Sequence, residues 1–166
     1  MPRTAAQDIG GAHVAAFLDM LAHAEIGRSL LAKSDDGYNV LVGGTLFDSY
    51  AHHPNKSVML PKYKDKQGRP LWSTAAGRYQ FLFWVWDDVS GVLRLSNFSP
   101  ESQDRAAVLL LRRAKAYDVI RQGDVMRGIE LCKRTWASLP GAGYGQPEKK
   151  FSELLKAYRD ALEKYQ

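Results

Sequence analysis

The chain is short of the features that would tie it to a metal, a membrane or a disulfide framework. It has one cysteine among 166 residues, so no intramolecular disulfide forms. No HExxH or CxxC spacing occurs, and the adjacent pair His52-His53 cannot place both imidazoles on one face of regular structure, so no metal is expected. Long apolar runs are missing as well. The stretch from Val14 to Ala24 is broken by Asp19 and His23, and nothing ahead of it reads as the apolar region of a secretory signal. Neither a signal peptide nor stable membrane association is therefore expected. There is no repeat and no linker long enough to divide the chain, which predicts one domain over 1–166 with residues 1–11 flexible. Positive charge is in modest excess, +5 overall, and no Lys/Arg stripe interleaves with stacking aromatics, so nucleic acid is not an expected partner.

What remains is an ordinary globular composition with an informative order of elements. Val14, Phe17, Leu18 and Leu21 follow the i, i+3, i+4, i+7 rule and predict an amphipathic helix from about Ala12 to Glu25, with Asp19 and His23 on its solvated side. Tyr38 to Val42 reads as a short strand, Gly43-Gly44 as a hairpin turn and Thr45 to Phe47 as the return. A loop rich in Lys, Pro and Gly is expected from Pro61 to Trp72. Ser73 or Thr74 then caps a helix with Tyr79, Leu82, Phe83, Trp86 and Val89 as its buried stripe. Ser99-Pro100-Glu101 is a strong helix start, Gly123-Asp124 closes one helix and caps the next, and Pro147 opens the last. Cys132 shares a helical face with Ile129 and Trp136 and reads as a small buried hydrophobe. The fold class is α+β, a mainly helical body with a small antiparallel sheet.

Glu25 is the residue that local rules leave unexplained. It continues the apolar stripe of the first helix at its last turn, where partial burial and the negative end of the helix dipole both disfavour a charged carboxylate. A raised pKa suits a general acid, although a frayed helix end reaching solvent would account for the same spacing. Gly77-Arg78-Tyr79-Gln80 allows two readings: Tyr79 joins the core, or Gln80 and the first-turn amides face a ligand whose hydroxyls suit an amide donor and acceptor. Tyr144, between Gly143 and Gly145, either anchors its loop or covers a bound ring.

Five stretches, in order, carry a resemblance. They are Phe17 to Ala22 leading into Glu25, Gly37 to Gly44, Ser73 to Gln80 (STAAGRYQ), Phe98-Ser99-Pro100 with Gln103-Asp104, and Trp136 to Gln146 (WASLPGAGYGQ). Together they resemble the lambda-phage lysozyme family of endolysins. The resemblance implies a lysozyme-like fold with the sheet lining a saccharide cleft, and lytic transglycosylase activity on the glycan strand of peptidoglycan. It implies that Glu25 is the catalytic acid, that Tyr79, Gln80, Tyr144 and Asn39 meet the substrate, that Pro140 to Gln146 form a mobile lip, and that no metal or organic cofactor takes part. Where the family can carry Asp this chain has Asn39, an amide that cannot act as nucleophile or base. Ile26 stands between Glu25 and Gly27, and the Pro61–Trp72 stretch is longer and more basic than usual in the family. A monomer is expected, held in the host cytoplasm until it is released to the wall. The alternatives are a hydrolytic muramidase pairing Glu25 with an acid such as Asp36 or Asp48, and a non-catalytic wall-binding module.

Overall fold

A computed structural model describes residues 1–143 and 148–166. Their order is α1 (Ala6–Ile9), α2 (Ala12–Ile26), α3 (Arg28–Lys33), β1 (Val58–Lys64), β2 (Pro70–Ser73), α4 (Phe83–Leu93), α5 (Pro100–Arg113), α6 (Tyr117–Arg121), α7 (Val125–Cys132) and α8 (Phe151–Leu162). The class is α+β, as the order of elements predicts. Residues 1–11 hold α1, and the backbone N–H groups of Arg3 and Thr4 are donated to the Tyr38 hydroxyl and to Asp104.

Helix α2 is the axis of the molecule. Phe17, Leu18, Met20 and Leu21 are fully buried, and so are Ala15, Ala16 and Ala22, whose small side chains let neighbouring elements approach. It packs against α1, α3, α6 and α8. The amphipathic expectation was therefore too mild, and its solvated face is corrected. Asp19 is mostly shielded and takes a 2.5 Å hydrogen bond from the Arg78 guanidinium, and His23 bonds Glu153 of α8.

The caps fall where the sequence places them. Ser99 accepts from the Ser102 N–H with Pro100 at the first helical position of α5, and Asp124 accepts from the Arg127 N–H at the start of α7. Thr74 does cap α4, but from a distance: its hydroxyl oxygen accepts from the Phe83 N–H across nine residues, and the helix begins only at Phe83. Residues 74–82 are thus an irregular segment rather than the predicted first turns. Pro147 lies outside the described residues, and α8 begins at Phe151.

The sheet is displaced from its expected place. The Tyr38–Phe47 hairpin closes, with Leu41 N–H on the Thr45 carbonyl and Phe47 N–H on that of Asn39, yet among the described residues it contributes only isolated bridges, Val40 to Leu46 and Leu41 to Ala76. The two-stranded antiparallel sheet is β1–β2, which takes up much of the stretch from Pro61 to Trp72 expected to be loop and extends past both its ends. Its turn is made by Asp65, whose carboxylate accepts the N–H groups of Gln67 and Arg69, while Gly68 N–H reaches the Asp65 carbonyl. Pro61 is tolerated because the register slips between Leu60 and Lys64, at a bulge where no ladder donor is needed.

Candidate active site

Glu25 stands on the last turn of α2, one residue before the helix ends. Ile26 completes the turn and Gly27, with φ of +81°, both ends α2 and starts α3, a conformation glycine adopts without steric penalty. The residue is half-buried, and desolvation pushes its carboxyl up to about 7, against the opposing pull of the Ser138 hydroxyl and backbone N–H. Ser138 Oγ donates to Glu25 Oε1 at 2.5 Å. This carboxyl therefore stays protonated into the neutral range, the state a general acid requires.

It faces a cleft of about 440 Å³ bordered by Gly43 of the first hairpin, Tyr63 of β1, Gln80, Trp136 and Ser138. Past Gln80 and Trp136 the groove runs on into a second hollow of about 620 Å³ that reaches Trp84, itself 69 % exposed. A depression of this length suits a polymer better than a single small molecule.

The floor depends on a tight turn. Gly77 has φ of +80° and a Cβ there would lie 2.2 Å from Gln103 Oε1, so only glycine fits. Gln103 accepts from the Arg78 N–H and donates to the carbonyls of Tyr38 and Phe98. Arg78 is buried and ion-paired to Asp19 and Asp36, and its ring neighbours are Tyr38 and Tyr79. Burial raises the pKa of Asp104, which accepts the hydroxyls of Tyr38 and Tyr79 at 2.7 and 2.6 Å. Nothing in the local sequence around Gln103 and Asp104 signals their contacts with Tyr38, Arg78 and Tyr79, which lie some 25 to 65 residues away.

The expected substrate residues separate in space. Gln80 borders the cleft, in a left-handed conformation with φ of 49°, its amide N–H groups donated to the carbonyls of Val40 and Gly77. Tyr79 is absent from the cleft beside Glu25 and borders only the second hollow, with its side chain wholly buried because the Asp104 carboxylate holds its hydroxyl inward. Asn39 is likewise absent from the cleft wall, its side-chain oxygen occupied by the Asp35 N–H in the preceding turn. Tyr144 lies outside the described residues, as does the lip from residue 144 to 146. The described ends of that loop are tied down: Gly141 and Gly143 N–H groups bond Glu148, and Lys149 N–H bonds the Ser138 carbonyl. Ser138, beside that loop, is the acid's immediate partner.

Among the described residues bordering the cleft, Glu25 is the one carboxylate and Lys149 the one cation. Asp36 is held by Arg78, Asp35 accepts from Tyr50 and Arg3, and Asp48 is exposed away from the cleft wall. Among the described residues no group of three or more His, Cys, Asp or Glu side chains could hold a metal ion, and no helix is long and apolar enough to cross a membrane.

An acid closing a central helix, sheltered at the edge of a polymer-sized groove between a helical body and a small sheet, defines a lysozyme-like enzyme. A family model described as Endolysin matches residues 15–164. The chain is 45 % identical over 148 residues to the endolysin of Escherichia phage lambda, covering 88 % of this chain and 89 % of that protein. It is 42 % identical over 154 residues to the endolysin of Escherichia phage P2, covering 90 % and 92 %. The solved structure of bacteriophage lambda lysozyme complexed with a chitohexasaccharide superimposes with a TM-score of 0.82 at 41 % identity, over 91 % of this chain and 94 % of that one. The chain belongs to the endolysin family, lysozyme-like enzymes that degrade bacterial cell wall.

Proposed function

We propose that this protein is a lytic transglycosylase that cuts the β-1,4 bond between N-acetylmuramic acid and N-acetylglucosamine in peptidoglycan. The observation that carries this reading is the solitary carboxyl group in the described cleft wall, held protonated near neutral pH. Glycosidases that use water need, in most families, two carboxylates set a fixed distance apart. Here one group serves twice. Glu25 protonates the glycosidic oxygen, which leaves as the 4-hydroxyl of N-acetylglucosamine, while the muramic acetamido oxygen steadies the positive charge at C1. The Glu25 carboxylate then takes the proton from the muramic C6 hydroxyl, and O6 bonds to C1 to close a 1,6-anhydro ring. The acid is regenerated and no water is consumed.

The chitohexasaccharide bound by bacteriophage lambda lysozyme supports a saccharide in the corresponding groove here. Gln80, with both amide N–H groups engaged by backbone carbonyls, offers its amide oxygen to a sugar hydroxyl or acetamido N–H. We take Glu25 as the catalytic residue, Gln80 and Tyr144 as substrate contacts, and the protein as a monomer that waits in the host cytoplasm until it is released to the wall. Mass analysis of digested peptidoglycan tests the reading, because anhydro ends lack one water that reducing ends keep. Reducing ends alone would assign a hydrolytic muramidase instead, and binding without cleavage a wall-binding module.

A further inference from the structure

The β1–β2 hairpin and its approach place exposed cations beside the cleft with little acid to offset them. On the helices, Arg113 pairs with Asp88, Lys133 with Glu130, Lys149 with Glu153 and Lys156 with Asp160. The hairpin and its approach carry Lys56, Lys62, Lys64, Lys66 and Arg69, all exposed. Their one local acid, Asp65, is engaged by Arg69 at 2.7 Å and by the turn's own N–H groups. Among the described residues none of the four lysines has a carboxylate within the 4.0 Å of an ion pair. The same hairpin forms one rim of the cleft, through Leu60 and Tyr63.

A glycan of N-acetylated amino sugars is neutral along its backbone. Its anionic groups are those of peptides appended to the muramic lactyl arm, whose free carboxylates stand off the strand. A strand lying in the cleft projects such arms past its rim, within the Debye length of the hairpin. A neutral polysaccharide gives this field nothing to bind.

Resting on the function proposed above, we infer that Lys62, Lys64 and Lys66 form a docking surface for the carboxylates of peptidoglycan stem peptides. The hairpin thereby selects peptide-bearing wall over bare neutral glycan of the same sugar spacing. The contribution is long-range and screened by salt, so it acts on capture of the strand rather than on the chemical step.

The test compares two ligands on K62Q/K64Q/K66Q, with Glu25→Gln in both parent and variant to prevent turnover. One is neutral chitohexaose; the other is a glycan fragment of equal length with intact stem peptides. The expected result is about tenfold weaker binding of the peptide-bearing fragment at low salt, a shallower salt dependence, and unchanged binding of chitohexaose. An unchanged melting temperature confirms that the substitutions leave the fold intact. Equal losses on both ligands, or none on either, overturn the inference alone. Loss of binding to phosphatidylglycerol vesicles with peptide-bearing glycan unaffected also overturns it and assigns the patch to a lipid surface. A parent that binds neither glycan overturns it together with the function on which it rests.

Discussion

Ser138 and Glu25 stand 113 residues apart in sequence and meet through one 2.5 Å hydrogen bond, donated by the hydroxyl to Oε1. The bond favours the ionised carboxyl and so opposes the burial that raises its pKa. Ser138→Ala removes this opposition. The alkaline limb of the pH profile of kcat/KM should move upward by about one pH unit, with a lower maximum because the acid loses its positioning partner. A downward movement of that limb would contradict the geometry.

Glu25→Gln should abolish lysis, a fall of about 10²-fold or more, while making the protein more stable at alkaline pH. The sign follows from the raised carboxyl. With a folded value near 7 against 4.5 for the unfolded chain, the native state binds the proton more tightly. Its contribution is favourable at low pH, declines between those two values, and leaves a buried charge above them that costs about 3 kcal/mol. The melting temperature of the variant should exceed that of the parent by several degrees at about pH 8 and differ little at about pH 4.

Tyr79→Phe separates support from contact. Because its hydroxyl donates to Asp104 inside the core, the variant should lose about 1–3 kcal/mol of stability in denaturant unfolding. KM for peptidoglycan should stay unchanged, which a Tyr at the saccharide surface would not allow.

Gln80→Gly reverses that pattern. Glycine relieves a left-handed conformation that is worth about 1 kcal/mol, roughly offsetting the two lost amide bonds, so stability should change little. Turnover of peptidoglycan should nevertheless fall by about tenfold, since the cleft loses its amide oxygen. A large drop in melting temperature with normal kcat/KM would place Gln80 among the supports.

The legible parts were those encoded locally. Ser99-Pro100 and Asp124 act within four residues, and Glu25 falls on a stripe that α2 itself displays. Other features depended on partners far along the chain. The turn at Gly77 exists because Gln103 and Asp104, some 25 residues on, take its N–H and hydroxyl groups; without them Tyr79 and Phe83 read as one helical stripe. The β1–β2 hairpin was hidden because Pro61 and its lysines blur the alternation of a strand, and the bulge breaks its register. Ser138 carried no local sign of its role, since its partner ends a helix at the other end of the sequence.

The arm ahead of α1 reaches further than its size suggests. Thr4 lends one of three donors to Asp104, the same carboxylate that holds the Tyr79 hydroxyl beside Gln80. A chain trimmed after Thr4 would leave that acid short of a donor and readier to accept a proton, loosening the saddle between the two hollows of the groove. Tags and cleavage sites placed at this end would then alter catalysis from a point that touches no sugar.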